Sequence, residues 1–198
     1  MRVALVDAGG GNLGSMRQAL LRLGIEPGLT ADAEQINSAD RVILPGVSTA
    51  AMVMGRLREL GLVDVLRGLR APLLGVCVGM QLLFEHSEEG DTPCLGLLPG
   101  RVRRLRASAG VRVPHMGWNR LRKLRESPLT GGIDDGDFGY FVHSYAAPVN
   151  ADCVLACDHG VRFAAVVQRG SISGAQFHPE RSARSGARLL QNFIQGVA

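Results

Sequence analysis

The sequence predicts an α/β fold in three layers, with a mostly parallel central sheet flanked by helices and extra antiparallel strands in the second half. Three observations predict it. Short apolar runs alternate with helical patterns through the first half, which makes a parallel sheet with helices on both faces. The second half is richer in strand patterns than in helical ones. The composition, 46% hydrophobic and 20% charged, is that of an ordinary globular chain and excludes disorder.

Arg2–Val6 reads as the first strand, and Leu13–Leu23 as an amphipathic helix with Leu13, Met16, Leu20 and Leu23 in one stripe. Arg41–Leu44 is the next strand, ended by Pro45-Gly46, with helical stretches over Ala50–Leu60 and Val63–Leu69. Pro72–Val76 is a strand running into a helix over Gly79–His86. Strands are then expected near Val102–Leu105, Gly139–His143, Cys153–Ala156, Arg162–Gln168 and Ser173–Phe177. A closing helix, Ala183–Gln195, carries Leu189, Leu190, Phe193 and Ile194 on its apolar side. No linker divides the chain, so residues 1–198 are expected to form one domain.

No apolar run approaches the ~20 residues that span a bilayer, and Asp7 comes too early for a signal peptide's apolar region. Four cysteines are too few for a disulfide scaffold, so they are expected to be reduced, in the cytoplasm. The net charge is +4, but nine basic residues and no acid lie between Arg101 and Arg125. That leaves 13 of the 22 basic residues against all 18 acids, a net of −5, for the rest of the chain. The basic segment reads as a solvated face or as a docking surface for a protein or phosphate-bearing partner. Aromatic residues that would stack on bases are scarce there, which speaks against nucleic acid.

Two glycine motifs carry chemical meaning. Gly9, Gly11 and Gly14 match G-x-G-x-x-G between a strand and a helix, with Asp32 and Glu34 about 20 residues on. That is the pattern of a dinucleotide-binding oxidoreductase. Against it, Pro27-Gly28 interrupts the strand that should end in the acid, and a tight turn explains the glycines equally. The stronger motif is Gly75-Val76-Cys77-Val78-Gly79, in which a strand enters a Gly-x-Cys-x-Gly turn and leaves as a helix. This is the sulfur counterpart of a nucleophile elbow. Small residues on either side let the turn close, and the helix points its amides at the sulfur. A buried structural cysteine is the plainer alternative.

A cysteine nucleophile needs a base and a group to orient it. His178-Pro179-Glu180 supplies both on one segment, stiffened by the proline. His86, His115, His143 and His159 have no such frame and read as solvated or structural. The C-x₃-C pair Cys153 and Cys157, with Asp158-His159 adjacent, fits no usual zinc spacing, so no metal is expected.

With Cys77 in Gly-x-Cys-x-Gly-x-Gln and His178-Pro179-Glu180 about 100 residues later, the chain resembles the class I glutamine amidotransferases. The resemblance implies that Cys77 attacks the side-chain amide of L-glutamine, with His178 as acid–base and Glu180 as its orienter, and that no cofactor is used. It further implies an oxyanion hole at Val47 and Val78, with glutamine held by Gly46, Gln81, Ser144 and Tyr145. Within the family, Asp7–Ser15, Pro45-Gly46-Val47, Met116-Gly117-Trp118-Asn119 and Tyr140–Tyr145 resemble the glutaminase subunits of imidazole glycerol phosphate synthases, from histidine biosynthesis. That branch implies a heterodimer with a separate cyclase subunit, contacted through Asn12, Trp118, Asn119 and Arg181. Two positions depart from its pattern: Ala8 stands where an aromatic residue is usual, and Ser48 where glycine is usual. Ser48-Thr49 resembles instead the glutaminase of pyridoxal phosphate synthase, an alternative that the Gly-Asn-Leu and Met-Gly-Trp-Asn motifs oppose.

Overall fold

Strand runs that are apolar at every position need cover on both faces, and the first half of the chain is built around three of them. The computed structural model describes residues 1–9 and 12–196. In it β1 (Val3–Val6), β3 (Arg41–Gly46) and β4 (Leu73–Cys77) are buried almost throughout, and the short β2 (Gly28–Thr30) takes the edge. β1 pairs in parallel with β2 and β3, and β3 pairs in parallel with β4. The crossovers are α1 (Leu13–Arg22), α2 (Ala33–Asn37), α3 (Ala50–Glu59) and α4 (Leu62–Arg67).

After β4 come the single-turn α5 (Val78–Gln81), β5 (His86–Ser87), β6 (Thr92–Pro93), β7 (Arg101–Arg104), β8 (His115–Lys123), β9 (Phe138–His143) and β10 (Tyr145–Ala146). β11 (Cys153–His159), β12 (Val161–Arg169), β13 (Ile172–Ala175) and α6 (Ala183–Gln195) complete the order. The main sheet runs β2-β1-β3-β4-β13-β12-β11-β8-β9. It is parallel as far as β13 and antiparallel from β13 to β9. A small sheet, β10-β7-β5-β6, lies apart from it. The expected alternation and the closing helix are therefore present, α6 over the predicted residues with Leu189, Leu190, Phe193 and Ile194 buried.

Four local expectations are corrected. The helix over Gly79–His86 stops after one turn because the carbonyls of Leu82, Leu83 and Phe84 accept from the amides of Leu95, Leu98 and Gly96. Leu82, Leu83 and Phe84 are all buried, so this stretch has no solvent face to sustain a helix. Pro45-Gly46 does not end β3; Gly46 pairs with Cys77 in register. Pro27-Gly28 leads into β2 rather than interrupting a strand. The basic segment conceals the nine-residue β8, whose burial alternates with Arg120 exposed and Leu121 buried.

The dinucleotide reading of the first glycine motif fails on three counts. The strand order places β1 between β2 and β3, not the 3-2-1-4 order of a dinucleotide fold. The Asp32 carboxylate is used as the N-cap of α2, accepting from the Gln35 amide at 2.8 Å. Gly14, the glycine that such a motif uses for close helix–strand packing, has nothing within 4 Å of where a Cβ would be. Gly10 and Gly11 lie outside the described residues.

Two glycine substitutions should separate packing from conformational freedom. Gly14→Ala should fold and gain up to ~1 kcal/mol, since it adds helix propensity without a contact. In Gly79→Ala the new Cβ would overlap the Leu44 carbonyl oxygen, a backbone atom that cannot step aside, so that variant should fail to fold. Thermal unfolding of the pair checks this, and an equal effect in both would contradict it.

Candidate active site

The turn at the end of β4 is built on three close approaches. A Cβ on Gly75 would stand 2.5 Å from the Gly79 carbonyl oxygen, and one on Gly46 would stand 2.9 Å from the Val78 Cβ. Gly79 itself presses on the β3 backbone at Leu44. Held this way, Cys77 adopts φ 55° and ψ −112°, a conformation that L residues with a side chain rarely take. Because α5 is a single turn, the helix dipole expected at the sulfur reduces to the amides of that turn.

His178 and Glu180 are held equally firmly. The His178 amide donates to the Tyr140 carbonyl at 2.9 Å, and its own carbonyl accepts from the Ser182 hydroxyl at 2.7 Å. Pro179 opens a 3₁₀ turn over Pro179–Arg181, on which α6 packs so closely that a Cβ at Gly186 would overlap the Pro179 carbonyl. Glu180 accepts from His178 Nδ1 at 2.9 Å, with both side chains buried. A carboxylate in this role fixes the proton on Nδ1 and leaves Nε2 free. Burial alone would pull His178 down, but the Cys77 sulfur and the Glu180 carboxylate outweigh it and push it up to about 10.

A cavity of about 130 Å³ opens beside these groups. Of the residues expected at the site, Val47, Cys77, Val78, Gln81, Ser144, Tyr145 and His178 line it. Gly46 and Glu180 do not: Gly46 lies in β3 with no room for a side chain, and Glu180 reaches the site only through His178. Ser48, Glu89, Val142 and His143 also line the cavity, and Gln176 stands behind the sulfur; none of these was expected. Gln81 Nε2 donates to the Tyr145 carbonyl at 2.8 Å and to Gln176 Oε1 at 3.0 Å. Gln176 Nε2 faces the Cys77 sulfur at 3.8 Å, and the thiol faces the Val142 carbonyl at 3.8 Å. The one sequence signal for Gln176 was a polar residue in an apolar strand two positions before His178.

An elbow cysteine facing a buried His–Glu pair is the arrangement of a cysteine hydrolase or transferase. The sequence model of the glutamine amidotransferase class-I family matches residues 4–197. The chain belongs to that family. Two relatives, from Xylella fastidiosa (strain Temecula1) and Xanthomonas oryzae pv. oryzae, carry the name imidazole glycerol phosphate synthase subunit HisH. Each is 62% identical over 98% of this chain and 96% of its own length. Among solved structures, one described as a glutamine amidotransferase superposes with a TM-score of 0.76 at 23% identity, covering 98% of both chains. The PurLQS structure from Thermotoga maritima superposes at 0.71 and 22%, covering 98% of this chain and 97% of that one. These two establish likeness of fold alone.

Elsewhere on this class I amidotransferase, Trp118 is 53% exposed on β8, edge-on to Tyr140 and near the exposed Met116 and Phe138. The Arg120 guanidinium lies 5.5 Å from the Phe138 ring centre. Asn119 is half-buried, Arg181 is exposed after Glu180, and Asn12 caps α1 through its side chain. The basic segment is divided between β7 in the small sheet and β8 in the main one. Part of its charge meets acids from other segments: Arg122 with Asp158 at 3.7 Å and Arg101 with Asp91 at 4.0 Å. Asp158 also pairs with Arg162, so its carboxylate is committed to arginines rather than to a cysteine–histidine cluster. The remaining cysteines are buried, which pushes Cys94 up to about 11 and Cys153 and Cys157 up to about 12.

The raised value at His178 has a definite sign. Because about 10 in the fold exceeds the ordinary 6.5, the imidazolium contributes stability in full below pH 6.5, and this is lost as pH rises through about 10. Cys77→Ala removes the largest influence raising that value. The ring ¹⁵N titration of His178 should therefore move down towards 6.5 in Cys77→Ala, and the loss of stability between pH 7 and 10 should become shallower. An unchanged midpoint would contradict the coupling.

Proposed function

We propose that the chain is the glutaminase subunit of an imidazole glycerol phosphate synthase, acting in histidine biosynthesis. It hydrolyses L-glutamine to glutamate and ammonia and passes the ammonia to a separate cyclase subunit. The observation that carries the chemistry is the strained Cys77 elbow sharing one cavity with His178, which is paired with the buried Glu180. The choice of partner rests on the HisH relatives, 62% identical over 98% of this chain. One glutamine amidotransferase domain over residues 1–198, working in the cytoplasm as a heterodimer, completes the reading. Among the described residues no helix is long and apolar enough to cross a membrane.

In this mechanism the Cys77 thiolate attacks the glutamine side-chain carbonyl carbon. The amides of Val78 and Val47 stabilise the oxyanion, and Gln81, Ser144 and Tyr145 hold the amino-acid end. The His178 imidazolium gives its proton to the departing nitrogen, so ammonia leaves and a glutamyl thioester remains. His178, now neutral, takes a proton from water. The resulting hydroxide adds to the thioester, and the C–S bond breaks to return the thiolate and release glutamate. Glu180 keeps the ring oriented and stabilises its charged form. Ammonia protonates in water, so hydrolysis is productive only against the cyclase. The exposed Trp118, Met116 and Phe138 with Arg120 suit such a contact.

Glutamate release by the chain saturated with cyclase and its nucleotide substrate tests this. Cys77→Ala should lose activity by at least ~10³-fold while still binding cyclase. Glu180→Gln should retain more activity than His178→Ala, which loses the proton carrier itself. Val47→Pro removes one oxyanion amide and should lower kcat by ~10²–10³ with little change in KM. A substitution at Gly46 could not serve, because its side chain would press on Val78. An electrophilic glutamine analogue should label Cys77 and spare Cys94, Cys153 and Cys157. Near wild-type glutamate release by Cys77→Ala would overturn the assignment.

A further inference from the structure

A line of side-chain hydrogen bonds runs from the exposed strand β8 into the Cys77 cavity, and the direction of every bond in it is determined. Asn119 Nδ2 lies 3.0 Å from the Asp158 carbonyl oxygen, which can only accept, so this end of Asn119 is the amide nitrogen. The same nitrogen lies 3.1 Å from His115 Nε2. His115 Nδ1 lies 3.0 Å from His143 Nε2, and His143 Nδ1 lies 2.8 Å from the Tyr145 carbonyl oxygen. A carbonyl accepts, so His143 carries its proton on Nδ1 and its Nε2 accepts. His115 must then donate from Nδ1 and accept from Asn119 at Nε2. The series runs one way, from Asn119 through His115 and His143 to the Tyr145 carbonyl.

Both rings are neutral and fixed. Burial foremost, reinforced by the neighbouring imidazoles, pulls His115 down to about 3. Burial also pulls His143 down to about 4 against the opposing bond to Tyr145. His115 is clamped between the Phe141 ring, 4.8 Å away, and the His159 ring, 4.0 Å away, both nearly parallel to it. Where the series ends, the Tyr145 carbonyl also accepts from Gln81, which holds Gln176 against the Cys77 sulfur.

We propose that His115 and His143 are positioning residues of the glutamine site. The series from Asn119 holds the Tyr145 carbonyl, and through it the Gln81–Gln176 pair, in register with Cys77, and ties that register to the face of β8 that carries Trp118. This rests on the glutaminase reading above. A purely structural histidine pair would affect stability alone.

The test compares two replacements of His115 in the chain saturated with cyclase. His115→Phe keeps the ring stack and removes both hydrogen bonds. His115→Asn loses the stack but places an amide N–H where Nδ1 stood, restoring the bond to His143. For kcat/KM on glutamine the expected order is wild type, then Asn, then Phe, with Phe down ~10–100-fold. For unfolding temperature the expected order is wild type, then Phe, then Asn. Asn119→Ala should cost a few-fold in the wild type and nothing further in His115→Phe. Activity that merely follows stability, or additive losses, would overturn the proposal. Should neither variant fold, ring ¹⁵N spectra of the unaltered protein decide: both His115 and His143 must be protonated on Nδ1, and an Nε2–H form of either refutes the series. A failure of the glutaminase reading is distinguishable, because then Cys77→Ala retains glutamate release, and the proposal falls with it.

Discussion

The contact of Gly79 with the backbone of β3 is the constraint on which the site depends. Without a Cβ, Gly79 rests on the Leu44 carbonyl, and the chain turns from β4 into α5 within one residue. Cys77 absorbs that turn in a positive-φ conformation that costs on the order of 1–3 kcal/mol. The cost is sustained because both sides of the turn are anchored: β4 is buried at every position between β3 and β13, and α5 is buried at every position beyond it. A cysteine on a loosely held loop would relax out of this geometry. Here it would have to unpair β3 to do so.

The parallel half of the sheet explains why the other groups arrive at the same place. β3, β4 and β13 are neighbours running in one direction, with Gly46 opposite Cys77 and Ala175 opposite Val76. Their carboxyl ends therefore emerge together, delivering Val47 from one strand, Cys77 from the next and, three residues beyond Ala175, His178 from the third. Ligand sites at the carboxyl edge of parallel strands are general in α/β folds. The antiparallel half serves differently. β9 brings Val142 and His143 to the cavity from the side, while its partner β8 exposes Trp118.

Features set by local chemistry could be read in the sequence. The Gly-x-Cys-x-Gly turn, the His-Pro-Glu segment and the amphipathic α6 each carry their constraint within a few residues. Those that depend on distant partners could not. The helix after Cys77 is cut short by amides 12 to 15 residues further on, at Leu95, Gly96 and Leu98. β8 was hidden because its outward arginines read as a charge run, although Leu121 and His115 face inward. Gln176, His115 and His143 acquire meaning only from what they touch across the fold. Gly46, which reads as a strand end, is instead paired within β3 with Val78 packed against it.

Two histidines line one cavity, and the fold drives them to opposite protonation states. His178 sits between the Cys77 sulfur and the Glu180 carboxylate, which hold it positive against the cost of burial. His143 has only neutral partners, a carbonyl and another imidazole, so burial decides and it stays uncharged; the positive charge on His178 pushes it further the same way. Sites that perform acid–base work are recognised by such divergence between titratable neighbours. The charged ring can deliver a proton to a departing amine. The neutral one can do no such thing at ordinary pH, and a proton placed on its Nε2 would break its bond from His115. The divergence follows from the bonded partners: the Cys77 sulfur and the Glu180 carboxylate at one histidine, and neither a sulfur nor an acid at the other.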